Sequence, residues 1–456
     1  VKPHFSFRTL AASSAFALLA GAATPSWAQG LEEVMALTYN SNPTLLAARA
    51  ELRSVDEQIS QALSGFRPTL SATGALAYER SETNLSPWES SNPNNYGLSL
   101  NQPLYQGGRT AAKVSQADNI IIAQRASLQN IEQQVLLDAV TSYMDVVLAR
   151  EVVNLAVSNE QRLLRQLEAT EDRFRVGEVT RTDVSQARAR HAGAVADRIR
   201  AEGSLISENA SFEETIGIAP TVLSRPGVLV GLPQDVDEAQ HIAERESSVI
   251  RQALATELAA RDGIDIQFAD LLPHINLIAS YQHLDDLSTT IADQDEFSIQ
   301  VQLTVPLYQA GFESSQIREA TQTAAQRRIQ IDEARRQVEA NVISSWQAFA
   351  TALAEVDAFM AEVEANTIAL EGTEREAQVG ERTVLDILDA EQELFESQIR
   401  LVTAERDAVV ASYALQATLG RLTADDLRLP VVIYDVEEYY DEARDAWWGY
   451  GGLTDD

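Results

Sequence analysis

The chain is written twice. Pro103-Leu104-Tyr105-Gln106-Gly107-Gly108 returns 203 residues later as Pro306-Leu307-Tyr308-Gln309-Ala310-Gly311. Val176-Gly177-Glu178 with Asp183 returns at the same offset as Val379-Gly380-Glu381 with Asp386, and Gly217 returns as Gly420. Three landmarks at one spacing point to an internal tandem duplication, and a repeat of this kind must be found before any fold is read. The expected organisation is a first structural repeat over 29–235 and a second over 236–430, joined where Gly and Pro cluster. A C-terminal tail over 431–456 follows.

Within each repeat the local period changes. Residues 109–176 contain neither Gly nor Pro, and Val114, Ile121, Leu128 and Val135 fall seven apart, as a coiled-coil seam requires. The expectation is a helix over about 110–174, roughly 100 Å long at 1.5 Å per residue, with a counterpart over about 312–376. Shorter helices are expected over about 181–216 and 383–419, and further ones over about 31–65 and 241–269. Helix 181–216 laid end to end with 241–269, and 383–419 with 31–65, each match a long helix in length. Four rods would then lie side by side as an antiparallel coiled coil.

Before each long helix the period drops to two. Leu70, Ala72, Leu76 and Tyr78 alternate with Thr69, Ser71 and Thr73, and Tyr96, Leu98 and Leu100 with Asn95, Ser99 and Asn101. In the second repeat Ile275, Leu277, Ala279 and Tyr281 alternate with Asn276, Ser280 and Gln282, and Phe297, Ile299, Val301, Leu303 and Val305 with Ser298, Gln300, Gln302 and Thr304. Strands are expected over about 69–80, 95–104, 273–284 and 296–306. A half-buried sheet in a soluble domain gives the same alternation. Terminal Tyr and Phe, and a polar face of Ser, Thr, Asn and Gln rather than paired charge, favour a membrane barrel. Four strands are too few to close one, so several chains would share it. Residues 82–94 and 285–295 would be the outward-facing turns.

The chain holds 35 Lys+Arg against 68 Asp+Glu, a formal charge of −33, and no basic stripe of the kind nucleic acid needs. Without cysteine there is no disulfide, thiolate nucleophile or cysteine-borne lipid. The five histidines show no metal-ligand spacing, and no phosphate-binding glycine loop is present, so neither an enzyme nor a cofactor is expected. Lys2 and Arg8 precede an apolar run, Leu10 to Ala23, followed by Ser26-Trp27-Ala28. That layout is a signal peptide over 1–28, and the run is too short to be a membrane helix.

The duplicated plan, the Pro-Leu-Tyr-Gln-x-Gly junctions and the turns 174–184 and 379–389 resemble the TolC-type outer-membrane efflux and secretion channels. The resemblance covers about residues 30–430. It implies a mostly helical homotrimer with a small twelve-stranded barrel in outer-membrane lipid and a helical barrel across the periplasm. It also implies a periplasmic adaptor and an inner-membrane transporter as partners, with this chain a passive conduit. An exported coiled-coil adhesin or scaffold is the alternative; it leaves the four interrupting strands unexplained.

Asp386 and Asp389 lie three apart on a helix and share a face. An isolated pair of this kind is ordinarily a wetted helix surface. By resemblance these two positions match the acidic rings of the constriction, where clustered carboxylates raise one another's pKa and attract cations. Arg382, Thr182 and Asp183 match positions of the polar links that hold the closed state. Ala377 stands where the family places a tyrosine, which leaves Asp183 without its expected partner. Val176, Gly177, Glu178, Val379, Gly380 and Glu381 cap helices and, by resemblance, form the adaptor-contacting tips. The tail beyond Pro430 carries eight acids and one base, a composition that predicts no packed structure.

Overall fold

The computed structural model describes residues 30–83, 86–288 and 291–449, so the expected signal peptide lies outside the described residues. Helices dominate. In chain order the elements are α1 (Leu31–Ser41), α2 (Pro43–Leu63), β1 (Thr69–Leu76), β2 (Glu79–Thr83), β3 (Ser86–Ser91), β4 (Asn94–Gln106), α3 (Arg109–Arg175) and α4 (Arg181–Ile216). They continue as α5 (Val236–Glu246), α6 (Ser248–Ala269), β5 (His274–Ser288), β6 (Ile291–Thr304), α7 (Phe312–Gln378), α8 (Val384–Thr418) and α9 (Glu438–Asp445). No described helix is long and apolar enough to cross a membrane.

The two long rods, α3 and α7, have 67 residues each. On α3 the seam residues Ile121, Leu128 and Val135 are buried, as a seven-residue period facing neighbouring helices requires. Below the middle of the molecule α4 and α8 flank α3, and α7 lies beyond α8; above it α2 and α6 flank α3, and α7 lies beyond α6.

This arrangement corrects the expected pairing of short helices. The end of α4 meets the break between α1 and α2, where Asn42 Nδ2 donates to the Thr215 carbonyl at 2.9 Å. The end of α8 meets the break between α5 and α6, where Arg421 Nη2 donates to Glu246 Oε1 at 2.8 Å. Gly420 is needed there, because a Cβ at that position would lie 2.5 Å from the Glu246 carbonyl oxygen. So α4 stacks on α2, and α8 on α6. The lengths match in pairs, 36 and 35 residues for α4 and α8 and 21 and 22 for α2 and α6, so length alone could not have told these pairings from the opposite ones.

Two expected single helices are broken. The stretch 31–65 divides at Asn42, whose side chain accepts from the Thr44 and Leu45 N–H groups while Pro43 opens α2. An Asn cap followed by Pro at the first helical position is a strong start signal. The stretch 241–269 begins inside α5 and is interrupted at Ser247, which has extended backbone.

The sheet has the antiparallel order β1-β4-β5-β6. Its register aligns Ser71, Ser99, Ser280 and Ser298 in one row across all four strands. Ser71 and Ser99 hydroxyls lie 3.0 Å apart, and those of Ser280 and Ser298 2.8 Å apart. The opposite face carries rows of Leu70, Leu100, Ala279 and Ile299, and of Ala72, Leu98, Tyr281 and Phe297. This apolar face is bare, and Phe297 is 69% exposed. The first strand ends at Leu76 rather than near 80, and Glu79–Thr83 pairs with Ser86–Ser91 as a separate two-stranded ribbon where a plain turn was expected. The second connection is also shorter than expected, because β5 runs to Ser288 and β6 starts at Ile291.

Between residues 434 and 446 the tail is docked on the helices, contrary to the expectation from its acidity. The Tyr434 N–H donates to the Tyr39 hydroxyl at 3.0 Å. Ala443 of α9 is buried against Ile59, Ala117 and Ile121. The Tyr439 and Tyr440 hydroxyls donate to Glu57 and Asp118, each at 2.8 Å. Composition misled because the tail's acids lie on its exposed side, with Glu437 also meeting Arg125 on α3, while tyrosines and Ala443 dock on the helices.

Candidate functional site

The end of the molecule remote from the sheet is built from two similar turns. At each, the long helix closes with a pair of backbone bonds around a left-handed glycine: Gly177 N–H to Phe174 O at 3.0 Å with Glu178 N–H to Arg173 O at 2.9 Å, and Gly380 N–H to Ala377 O at 3.2 Å with Glu381 N–H to Glu376 O at 3.0 Å. These are Schellman closures, which satisfy the last carbonyls of a helix. Val176 and Val379 are left outward, 73% and 74% exposed, beside exposed Glu178 and Glu381. Both valines therefore stand in solvent at the tips, outside the buried clusters of Ala377 with Ile387 and of Val384 with Leu388.

Each following helix opens with a capping box. Asp183 Oδ2 accepts from Thr180 N–H at 2.7 Å and from the Thr180 hydroxyl at 2.8 Å, and Asp183 N–H returns a bond to that hydroxyl at 3.3 Å. Thr383 and Asp386 repeat the arrangement, with both bonds to Asp386 Oδ2 at 2.8 Å. The Thr383 backbone N–H, then its hydroxyl, hold the Asp386 carboxyl below the usual aspartate range, with a smaller contribution from Arg382. Within one protomer this is opposite to the upward shift expected of clustered acids. Asp183, which lacked a sequence-level partner, is occupied by its own helix cap. Thr182 is exposed on the first turn of α4.

Asp386 and Asp389 share a face of α8 but have different partners. Arg190 of α4 donates to Asp389 Oδ1 at 2.6 Å, tying the first helical hairpin to the second. Arg382 donates its Nε–H to Glu376 Oε2 at 2.9 Å. Ala377 is buried with Leu370, Ile387 and Leu394, so its methyl group fills space between α7 and α8.

Sequence reasoning missed a buried carboxylate nearby. Glu391 of α8 is 4% exposed, and its Oε2 has no hydrogen-bond partner. Burial pushes its pKa up to about 7, Arg162 pulls it back in part, and Glu374 adds to the rise. The Nε and Nη2 groups of Arg162 on α3 are buried and unpartnered as well. A long α-helical register alone gave no signal of this cluster, because it arises where α8 lies against α3. Leu163, Leu167, Ala187, Val384 and Leu388 pack near it and hold the two hairpins together.

The family model described as outer membrane efflux protein matches residues 35–217 and 241–421. The chain belongs to the outer membrane efflux protein family. It is 35% identical over 412 residues to the outer membrane efflux protein BepC of Brucella suis biovar 1 (strain 1330), covering 90% of each chain. It is 27% identical to the outer membrane protein TolC of Vibrio cholerae serotype O1, across 88% of this chain and 93% of that relative. The crystal structure of the outer membrane protein VceC from Vibrio cholerae superposes with a TM-score of 0.75 at 19% identity, over 86% of this chain and 96% of that one. The family places the chain in the outer membrane, extending into the periplasm, among channel proteins rather than enzymes. The scaffold or adhesin alternative is not favoured.

Proposed function

We propose that three copies of this chain close a single conduit through the outer membrane and across the periplasm. The observation that carries this reading is the four-stranded sheet. One face is apolar and bare, the other carries a serine row, and the outer edges of β1 and β6 have no strand beside them among the described residues. In hydrocarbon every backbone N–H and C=O must be paired, so an open edge has to find another chain. Pairing β1 of each copy with β6 of the next makes a closed twelve-stranded barrel, lipid outside and water inside. Equal long rods and a family match in two segments support a tandem duplication, which lets three chains line a tunnel of quasi-equivalent helices.

At the tips, Asp386 and Asp389 would ring the mouth with carboxylates, with Arg190 offsetting part of the charge. Arg382, Thr182 and Asp183 would restrain closure between helix pairs. Val176, Gly177, Glu178, Val379, Gly380 and Glu381 would receive a periplasmic adaptor, which joins the channel to an inner-membrane transporter. Energy enters through that transporter, and the conduit itself is passive. Drug efflux and protein secretion are both within this role, because cargo choice lies with the partner.

Reconstitution in a planar bilayer tests the reading. Discrete conductance steps that multivalent cations block are expected. Protein that stays monomeric without detergent and conducts nothing would refute it.

A further inference from the structure

The tail follows α2 toward the sheet. Tyr434 bonds Tyr39, Tyr439 bonds Glu57, and the Ala446 carbonyl accepts from Ser60 Oγ at 3.3 Å and from Arg67 Nη1 at 2.7 Å. Partners on α3 agree in direction: Arg125 reaches Glu437, and Asp118, nearer the sheet, takes Tyr440. The strap ends at Trp447, whose ring lies under the Arg67 guanidinium at 4.7 Å, two residues before β1 begins. Trp447 is nevertheless 70% exposed, and Trp448 is 95% exposed.

Two bare indoles are costly in water, and their position is specific. Phe66, Leu104, Tyr105, Tyr308 and Phe312 are also exposed where strands give way to helices. The tryptophans therefore join other exposed aromatics at the helix-side end of the sheet, where the apolar sheet face begins. Amphipathic aromatic rings at such a boundary settle at the headgroup level of a bilayer. Below them Glu437, Glu438, Asp441, Glu442 and Asp445 give the strap a strongly negative surface. Such a surface is compatible with zwitterionic headgroups and repels anionic ones.

We propose that Trp447 and Trp448 are an interfacial anchor seated among the zwitterionic phospholipid headgroups of the periplasmic leaflet. The strap 434–446 fixes its height against α2. The inference rests on the membrane-barrel reading. It adds a lipid contact made by a segment outside the barrel.

The test uses the full chain in phosphatidylcholine nanodiscs, with Trp27→Phe, Trp88→Phe and Trp346→Phe so that the tail pair can be read. Subtracting the same protein carrying Trp447→Ala and Trp448→Ala assigns the signal. Phosphatidylcholine brominated high on its acyl chains should quench most of the pair's emission, and aqueous acrylamide should quench it weakly. Strong acrylamide quenching with no effect of the brominated lipid would overturn the anchor. A separate reporter, Val301→Trp in a background without the other indoles, samples the apolar sheet face and should be quenched by lipid brominated near the bilayer centre. If that reporter is quenched and the tail pair is not, the anchor is wrong and the barrel stands. If neither is quenched, both fall.

Discussion

Arg190 on α4 grips Asp389 on α8 at 2.6 Å, so one of the two acids expected to define the mouth is partly neutralised by the protein's other helical hairpin. Both side chains are substantially exposed, and a pair of this kind adds at most about 1 kcal/mol to stability. Its larger effect is on the charge that a passing ion meets. Arg190→Gln should leave the fold intact and strengthen block by multivalent cations, while Asp386→Asn with Asp389→Asn should weaken it. Planar-bilayer titration with a trivalent cation reads both; block unchanged in either variant would mean that these acids do not face the conduction path.

Arg382 is bonded to Glu376 within its own protomer. Guanidinium carries five N–H donors, and this bond uses one of them, so the side chain can still restrain a neighbouring hairpin. A few kcal/mol of bias suffices to keep an open state rare. Arg382→Ala should raise resting conductance and antibiotic leakage, whereas Glu376→Gln should raise them less. Equal resting conductance in Arg382→Ala and the parent would place the restraint elsewhere.

Glu391 should make the tip sensitive to pH. Its folded pKa, about 7, lies above the ordinary glutamate value, so its contribution to the α3–α8 contact is fully present at low pH and is lost as pH rises through 7. Holding the ionised form in this site costs about 3 kcal/mol. Amide exchange over the first turns of α8, corrected for its intrinsic rise with pH, should therefore quicken between about pH 4.5 and 7 and level off above. Glu391→Gln should flatten that dependence, and a dependence that survives the substitution would assign it to another group.

Asp56 lies buried beside the docked tail, with neither carboxylate oxygen hydrogen-bonded. Burial raises its pKa to about 6; Arg125 opposes the rise and Glu57 adds to it. The sign is the same as for Glu391, so docking of residues 431–449 should be tightest in acid and loosen as pH passes 6. Asp56→Asn should recover up to about 3 kcal/mol at neutral pH. Limited proteolysis of the tail should slow in that variant at pH 8 and match the parent at pH 4. Equal cleavage at both would separate Asp56 from docking.

The parts of this molecule that were legible in the sequence are those set by local period. Phe297, Ile299, Val301 and Leu303 alternate because each faces away from its polar neighbours in β6, and Ile121, Leu128 and Val135 recur because one stripe of α3 is buried. Features that depend on which rods lie together were not legible. The stacking of α4 on α2 is decided by contacts such as Asn42 with Thr215, far apart in sequence, and helix length was an ambiguous guide. Asn42-Pro43 is a helix-start signal that lies inside an otherwise periodic stretch. In the site, Thr180-x-x-Asp183 and Thr383-x-x-Asp386 could have been read as capping boxes. The Arg190–Asp389 pair and the Glu391–Arg162 cluster could not, because they form only when two hairpins meet.

The central claim is that the free edges of β1 and β6 pair between copies. The natural chain has no cysteine, so cysteines introduced singly at Ala72, Gly74 or Leu70 and combined with one at Phe297, Ile299 or Val301 report that contact without background. Oxidation in outer membranes should link three chains into a closed, dodecyl-sulfate-resistant trimer for the pairs in register, with the β1 and β6 single-cysteine variants remaining unlinked. Membrane-bound protein in which no β1–β6 combination joins neighbouring chains would contradict the shared barrel.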